Sequence, residues 1–338
     1  MTNEIKQLFE TAKIWRKSGK NSVLVTVVDL KGSSYRRPGV RMLISDTGET
    51  CGAVSGGCVE KEIQHQAQSV FKSGNAKIIT YDGRFRLGCE GILFMLLEPF
   101  FISDAILDSF HSALNNRQSF KAESYYYHAP GEHAAIGSQL IVNGKTFSFN
   151  PAFQSDQTTD QQKFCQTFPP IFQLHIFGAE HDAVQLCKAA HLLGWEITIV
   201  ASPDEAKSIA YFPGADRFIS PTFDQLDTSG FDAQTAIILM THSFNKDVQY
   251  LMALRHVKPA YFGLLGPKDR RERILSKFLE YCPDVSLAFL EQLRSPAGLN
   301  IGAENAPEIA VSILAEILSV IRNQQPMALK DKPGSIHG

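Results

Sequence analysis

Three short segments in the first hundred residues carry side chains that could do chemistry, and two histidine-bearing turns lie in the second half of the chain. The first, Gly32-Ser33-Ser34-Tyr35-Arg36-Arg37-Pro38-Gly39-Val40-Arg41, packs arginines and glycines closely together. Arginine forks grip phosphate or carboxylate groups bidentately, and glycines let backbone amides approach a ligand. Arg37 and Arg41 are therefore candidate anion-binding residues, although a solvated surface turn would show the same composition. The second, Ser55-Gly56-Gly57-Cys58-Val59-Glu60, sets a thiol and two glycines at the start of an expected helix. Free amides and the positive end of the helix dipole hold anions there and depress a thiol pKa. Ser55, Gly56 and Gly57 are candidate cradle residues, Cys58 a candidate nucleophile or metal-facing ligand, and Glu60 a residue that orients nearby donors. The bland alternative for Cys58 is a small buried residue at a tight turn. Gly88 and Cys89, within Leu87-Gly88-Cys89-Glu90-Gly91, form the third segment in a similar glycine-rich setting.

In the second half, Gly178-Ala179-Glu180-His181-Asp182-Ala183 follows an apolar run and precedes a helical pattern, the place for a dinucleotide fingerprint. Gly178 and Ala183 match the first and third small positions, but Glu180 stands where the second glycine lets the backbone approach a pyrophosphate. A carboxylate ~4 Å from a phosphate charge costs ~4 kcal/mol at an effective dielectric near 20. One charged hydrogen bond returns only ~1.5–3 kcal/mol. The next apolar run ends in Val200-Ala201-Ser202, without the acid that would hold ribose hydroxyls. A Rossmann-like fold is expected here, and conventional NAD binding is not. His181, His242 and Asp247 follow strand ends, where open α/β sheets bind ligands, so they are candidates for a His-His-carboxylate metal or proton-transfer site. A pair of hydrogen-bonded structural histidines is the plainer reading. Gly263 and Gly266, ahead of Lys268, Arg270 and Arg271, mark one more strand-to-helix turn with anion-binding potential.

Helical and strand periodicity supplies the elements that must position these residues. Ile5, Leu8, Phe9, Ala12 and Trp15 predict a helix over 3–17, and residues 59–72 predict a second. Strands are expected at 23–28, 41–45, 76–81 and 92–98, then a helix and three short strand-like segments over 103–150. The polar stretch 154–162 (QSDQTTDQQ) reads as a linker. After it, strands at 174–177, 196–200, 236–240 and 260–265 alternate with helices, which implies a parallel sheet covered on both faces. Asn305 and Pro307 open a last apolar helix over 306–321. The expected domains are 1–153 (α+β, ligand-binding), a linker over 154–170, a Rossmann-like domain over 171–325, and a loose tail over 326–338.

The 338 residues suit about two domains. Lys plus Arg total 33 against 35 Asp plus Glu, and this balance argues against a nucleic-acid binder. The longest apolar stretch, 92–97, falls far short of the ~20 residues a membrane helix needs. No export signal opens the chain, and its six cysteines show no C-x-x-C pair, so reduced thiols in a cytoplasmic protein are expected. Cys51, Cys165, Cys187 and Cys282 are expected to be packing residues.

The same motifs carry a resemblance. GSSYRRPGVRML, SGGCVE, YDG followed by LGCEG and LEPF, IFGAEH, MTH near Asp247, YFGLLGPKDRR and GLNIGAENAPEIAVSILAEIL make the chain similar to the XdhC/CoxI family, in order and toward both ends. Residues 103–165 contribute little. These are accessory factors of xanthine dehydrogenase and related molybdenum hydroxylases. The resemblance implies a chaperone without turnover chemistry. It would bind molybdenum cofactor (molybdopterin) as cargo, protect it while a cysteine desulfurase supplies the terminal sulfido ligand, and pass it to the apo molybdenum hydroxylase. Arg37 and Arg41 would neutralise the pterin phosphate, the amides of Ser55 to Gly57 would cradle it, and Cys58 would face the metal or carry sulfur. A homo-oligomer, a homodimer by analogy, is expected too.

Departures from the family pattern are Glu180, Glu90, Ala201 and Arg294-Ser295 ahead of Pro296. They keep one alternative open, a degenerate member that has kept only partner binding; the other alternative, a Rossmann-fold NAD(P)-dependent oxidoreductase using His181 or His242 as acid/base, has Glu180 and Ala201 counting against it.

Overall fold

The structure is a computed structural model that describes residues 1–32, 37–55, 59–82, 91–154 and 160–334. The chain forms two compact units, which divide between Pro170 and Ile171. The N-terminal unit contains α1 (Thr2–Lys17), β1 (Ser22–Lys31), β2 (Arg41–Ser45), β3 (Thr50–Gly52), α2 (Glu60–Ser73), β4 (Lys77–Asp82), β5 (Ile92–Pro99) and α3 (Asp104–Asn115). It continues with β6 (Phe120–Tyr126), β7 (Gly131–Glu132), β8 (Gly137–Val142), β9 (Lys145–Ser148) and β10 (Gln162–Phe168).

Its first sheet runs β3-β2-β1-β5-β4-β7, antiparallel throughout. β1 and β5 read as nearly continuous apolar runs because both faces of this sheet are covered. Val23, Val25, Val27, Met42, Ile44, Met95 and Leu97 meet Ile63, Ala67 and Val70 of α2. The opposite face, with Leu24 and Leu43, packs under α1, α3 and the second sheet, where Phe9, Phe110, Phe120 and Phe168 are buried. α1 presents Ile5, Leu8, Phe9, Ala12 and Trp15 as one buried stripe, as the helical spacing predicts.

The second sheet runs β10-β6-β8-β9. β10 corrects one expectation: residues 162–168 of the expected linker are an edge strand paired antiparallel with β6, from Gln162 opposite Tyr126 to Phe168 opposite Phe120. Only every second residue of an edge strand faces inward, so Phe164, Gln166 and Phe168 are the covered side and the composition stays polar.

The C-terminal unit contains β11 (Gln173–Phe177), α4 (His181–His191), β12 (Glu196–Val200), β13 (Arg217–Ile219), β14 (Thr235–Leu239) and α5 (Phe244–Leu254). After these come β15 (Tyr261–Leu264), α6 (Lys268–Tyr281), α7 (Leu287–Gln292), β16 (Leu293–Arg294) and α8 (Ala306–Ile321). Its six strands are all parallel in the order β13-β12-β11-β14-β15-β16, the Rossmann order of a doubly wound sheet. α4 and α8 cover one face, α5 and α6 the other. Asn305 caps α8 by accepting from the Glu308 amide, with a proline in the first turn. Among the described residues no helix is long and apolar enough to cross a membrane.

Candidate functional site

Strand register gathers the three N-terminal motif segments at one end of the first sheet. Lys31, the last residue of β1, pairs with Ile92, the first of β5, and Asp82, the last of β4, pairs with the same Ile92. On the other side Thr26 of β1 pairs with Arg41, the first residue of β2, while Gly52, the last of β3, pairs with Met42. The segments 32–40, 53–59 and 83–91 therefore all leave or enter the sheet at this end. Gly56, Gly57, Cys58, Gly88 and Cys89 lie outside the described residues.

The described residues of these segments take roles that the sequence does not show. Arg37 is exposed, and its carbonyl accepts from the Val40 amide at 3.4 Å. Arg41, expected beside it as a phosphate clamp, is instead only 8% exposed. Its Nη1 donates to the Gly39 carbonyl at 2.9 Å and to Gln166 Oε1 of β10, and its guanidinium stacks 5.4 Å from the Phe168 ring. Pairing with the buried Thr26 turns its side chain toward the second sheet, against Gln166 and Phe168 of β10.

The Ser55 amide is likewise not an open cradle donor. It donates to Glu60 Oε1 at 2.7 Å, while the Ser55 hydroxyl donates to Oε2 at 2.6 Å. Burial raises the Glu60 carboxyl, but the bonds from Ser55 together with the backbone amides of Val59 and Glu60 outweigh it and hold the group below its ordinary value. The carboxylate thus sits at the N-terminus of α2, where an anion was expected, and it ties Glu60 back to Ser55 on the other side of segment 56–58.

Two features of this sheet end escaped sequence reasoning. A β-bulge interrupts the β1–β5 register between Val27 and Asp29. Bulges re-aim side chains, and this one sets Asp29 beside Phe94, with Oδ2 2.7 Å from His128 Nε2. Oδ1 accepts from the Leu30 amide at 2.8 Å, and the His128 ring packs edge-on against Phe94 at 4.8 Å. A carboxylate-oriented imidazole can hold or move a proton or face a metal. Its two members are 99 residues apart, so no local pattern announces it.

The second feature is Glu98, fully buried on β5. Its Oε2 accepts from the Ser138 amide at 2.7 Å, and burial pushes the carboxyl up to about 7 despite that bond and the Arg41 charge. The sequence signal was a lone acid closing an apolar strand, in LEPF. Between an unfolded value near 4.5 and the folded value near 7 the folded state holds the extra proton, so stability falls as pH rises across that window. The expected loss is about 3 kcal/mol, complete above pH 7. Denaturant melts of the wild type and of Glu98→Gln from pH 5 to pH 8 check this: the wild type should weaken and the variant stay flat.

In the C-terminal unit the switch point lies between β11 and β14, where strand order reverses. Gly178 leaves β11 with φ +138°, and a Cβ there would stand 2.4 Å from the Met240 carbonyl oxygen. Glu180 is the N-cap residue of α4 without a capping side-chain bond, and its carboxylate lies 3.5 Å from Lys207 Nζ. His181, the first residue of α4, is exposed. His242, with φ +56°, sets Nε2 3.2 Å from Asp182 Oδ2.

Asp247 does not join the two histidines. It is 1% exposed, and its oxygens accept from Thr241 Oγ1 and Arg270 Nη2, each at 2.6 Å. Among the described residues no three His, Cys, Asp or Glu side chains are grouped to hold a metal. The candidate His181–His242–Asp247 constellation is therefore replaced by a His242–Asp182 pair and a separate Asp247–Arg270 strut, and the plainer reading of a bonded histidine pair is corrected with it, since His242 bonds Asp182. Gly263 is corrected too: it lies inside β15, where a Cβ would meet Ile238 and Tyr261 at 2.8 Å, so it is a packing glycine. Gly266, with φ +120°, does make the turn into α6. Of the remaining cysteines, burial pushes the Cys187 thiol up to about 11, as befits a packing residue, whereas Cys165 is exposed on β10.

Comparison with known proteins bears on both units. A model described as the XdhC and CoxI family matches residues 15–82, and one described as the XdhC Rossmann domain matches residues 174–317. A Bacillus subtilis (strain 168) protein named as a probable xanthine dehydrogenase subunit is 30% identical over 319 residues, 88% of this chain and 93% of its own. The Escherichia coli (strain K12) protein named "Molybdenum cofactor insertion chaperone PaoD" is 27% identical over 314 residues, 91% of this chain and 86% of its own. A crystal structure described as a xanthine dehydrogenase from Bacillus halodurans superposes with a TM-score of 0.77 at 25% identity, covering 96% of this chain and 98% of that one.

Proposed function

The chain belongs to the XdhC and CoxI family, and on that premise we propose that it is an accessory protein that binds molybdenum cofactor as cargo for a molybdenum hydroxylase of the xanthine dehydrogenase type. The observation that carries this reading is the match to the insertion chaperone PaoD across both units, not one domain alone. The reading extends to sulfuration: the protein holds the cofactor while a cysteine desulfurase supplies the sulfido ligand, then delivers it to the apoenzyme, working as a homo-oligomer.

Roles follow from the sheet end that gathers the three motif segments. Arg37, exposed at the foot of its loop, offers a bidentate fork to the cofactor phosphate. The Gly56 and Gly57 amides and Cys58 are assigned to the cargo, with Cys58 toward the metal, and Gly88 and Cys89 are assigned as further contacts. Glu60 takes a positioning role through its two bonds to Ser55. Expression in a host that makes molybdenum cofactor, followed by anaerobic purification and assay of metal and pterin, tests the reading. Near-stoichiometric molybdenum and pterin are expected; a folded protein carrying neither would overturn it.

The strand order of the C-terminal unit favours one second reading, a nicotinamide-dependent oxidoreductase, because dinucleotides bind at this switch point. Glu180 opposes it: its carboxylate stands at the α4 terminus that would receive the pyrophosphate. Titration with NADH should leave nicotinamide fluorescence unchanged, and saturable enhancement would reinstate that reading.

A further inference from the structure

Four buried polar atoms face the interior between the two sheets of the N-terminal unit without a partner among the described residues: Arg41 Nε and Nη2, Thr26 Oγ1 and Glu98 Oε1. Register places them on one face. Thr26 is cross-strand partner to both Arg41 and Leu96, and Glu98 lies two residues beyond Leu96 on β5. All three side chains are more than nine-tenths buried. Groups packed around them are Gln166 and Phe168 of β10, Ser138 of β8 with Ser124 of β6 behind it, and the Glu4 charge of α1 acting on Arg41.

An unpaired buried donor or acceptor costs about 1–3 kcal/mol, and more when charged, so a solvation partner is required. The atoms available decide which. Nε and Nη2 are donors only, Glu98 Oε1 accepts when the carboxyl is ionised and can donate when it is protonated, and a threonine hydroxyl does either. A water molecule, with two donor and two acceptor positions, complements that set. An oxyanion has acceptors alone and would be repelled by Glu98 once the carboxyl ionises, and an apolar ligand would satisfy none of the four.

We propose that ordered water occupies the space between the sheets and bridges the Nε/Nη2 edge of Arg41 to Glu98 Oε1 and Thr26 Oγ1, so that Arg41 is a positioning residue for the glycine loop. The opposite side of the same guanidinium holds the Gly39 carbonyl, and the Gly39 amide donates to the Val27 carbonyl at 2.7 Å. The hydrated group thereby fixes the Gly39 foot of segment 32–40 from inside the core. This inference stands on the inter-sheet geometry and does not depend on the cargo.

A crystal structure of the full chain at about 2 Å or better would show water within hydrogen-bond distance of the Arg41 edge and of Glu98. A direct Arg41–Glu98 contact, or a protein group on that edge, would overturn the bridge. Amide hydrogen exchange tests the positioning role. Thr26→Val and Glu98→Leu should each speed exchange at Gly39 by about tenfold, and the double variant no further, because both remove partners of the same water. The Phe100 amide, bonded to the Ser22 carbonyl at 2.8 Å at the far end of β1, should keep its rate. Multiplying effects at Gly39, or equal acceleration at Phe100, would show that the residues act separately or through global stability alone. Thr26→Ser, which restores a hydroxyl, should return Gly39 exchange to the wild-type rate.

Discussion

Replacing Cys58 by serine should reduce delivery of active cofactor to a dependent hydroxylase to the level seen without the protein, while leaving stability within about 0.5 kcal/mol of the wild type. Serine keeps the size and removes the soft sulfur, so any interaction with metal or transferable sulfur is lost and packing is nearly conserved. The flanking structure gives no reason for the fold to suffer. The bonds that close this segment run from Ser55 to Glu60, and neither uses Cys58. Reconstitution of an apo hydroxylase with cofactor-loaded wild type and variant, beside matched denaturant melts, checks both halves. Full rescue by the variant would remove the thiol from the proposal and leave the cradle to Arg37 and the glycine amides.

Gly178→Ala should destabilise the C-terminal unit by about 4 kcal/mol, through backbone strain of roughly 1–3 kcal/mol and a backbone clash on top of it. With φ at +138°, the site lies where a side chain is strained whatever the space around it. The space is also closed: the added Cβ would stand 2.4 Å from the Met240 carbonyl oxygen and 2.8 Å from its carbon, both backbone atoms of the adjacent β14 end. Relief requires β11 and β14 to part at the switch point, against the bond from the Met240 amide to the Phe177 carbonyl at 2.8 Å. A loss of this size lowers the melting temperature of a unit this large by roughly 8–16 °C. Calorimetry of the full chain would resolve it, and an unchanged transition would show that the turn relaxes without cost. The same variant asks whether cargo needs the C-terminal unit, since Gly178 and the N-terminal motif segments belong to different units.

Much of the architecture was legible from residue spacing. The helices at Thr2–Lys17 and Ala306–Ile321 and the strands at Arg41–Ser45 and Glu196–Val200 stand where period and capping residues put them. Each of these signals is local: the apolar stripe, the cap and the turn lie within a few residues of one another. β10 was missed because an edge strand buries only one side, so its composition mimics a linker.

The candidate site divides along the same line. Sequence by itself determined which segments hold residue types that could do chemistry, the thiol and glycines of 55–60, the arginines of 37–41 and the departure at Glu180, because residue type and spacing are local properties. Only tertiary structure decided which of those side chains are available. Arg41 faces the core because its strand neighbour is Thr26, Asp247 is consumed by Arg270 from the next helix, and Asp29 meets His128 across 99 residues through a bulge. A polar side chain takes its role from whichever partner desolvation brings within about 3 Å, and that partner is set by long-range pairing of strands, which no local pattern encodes.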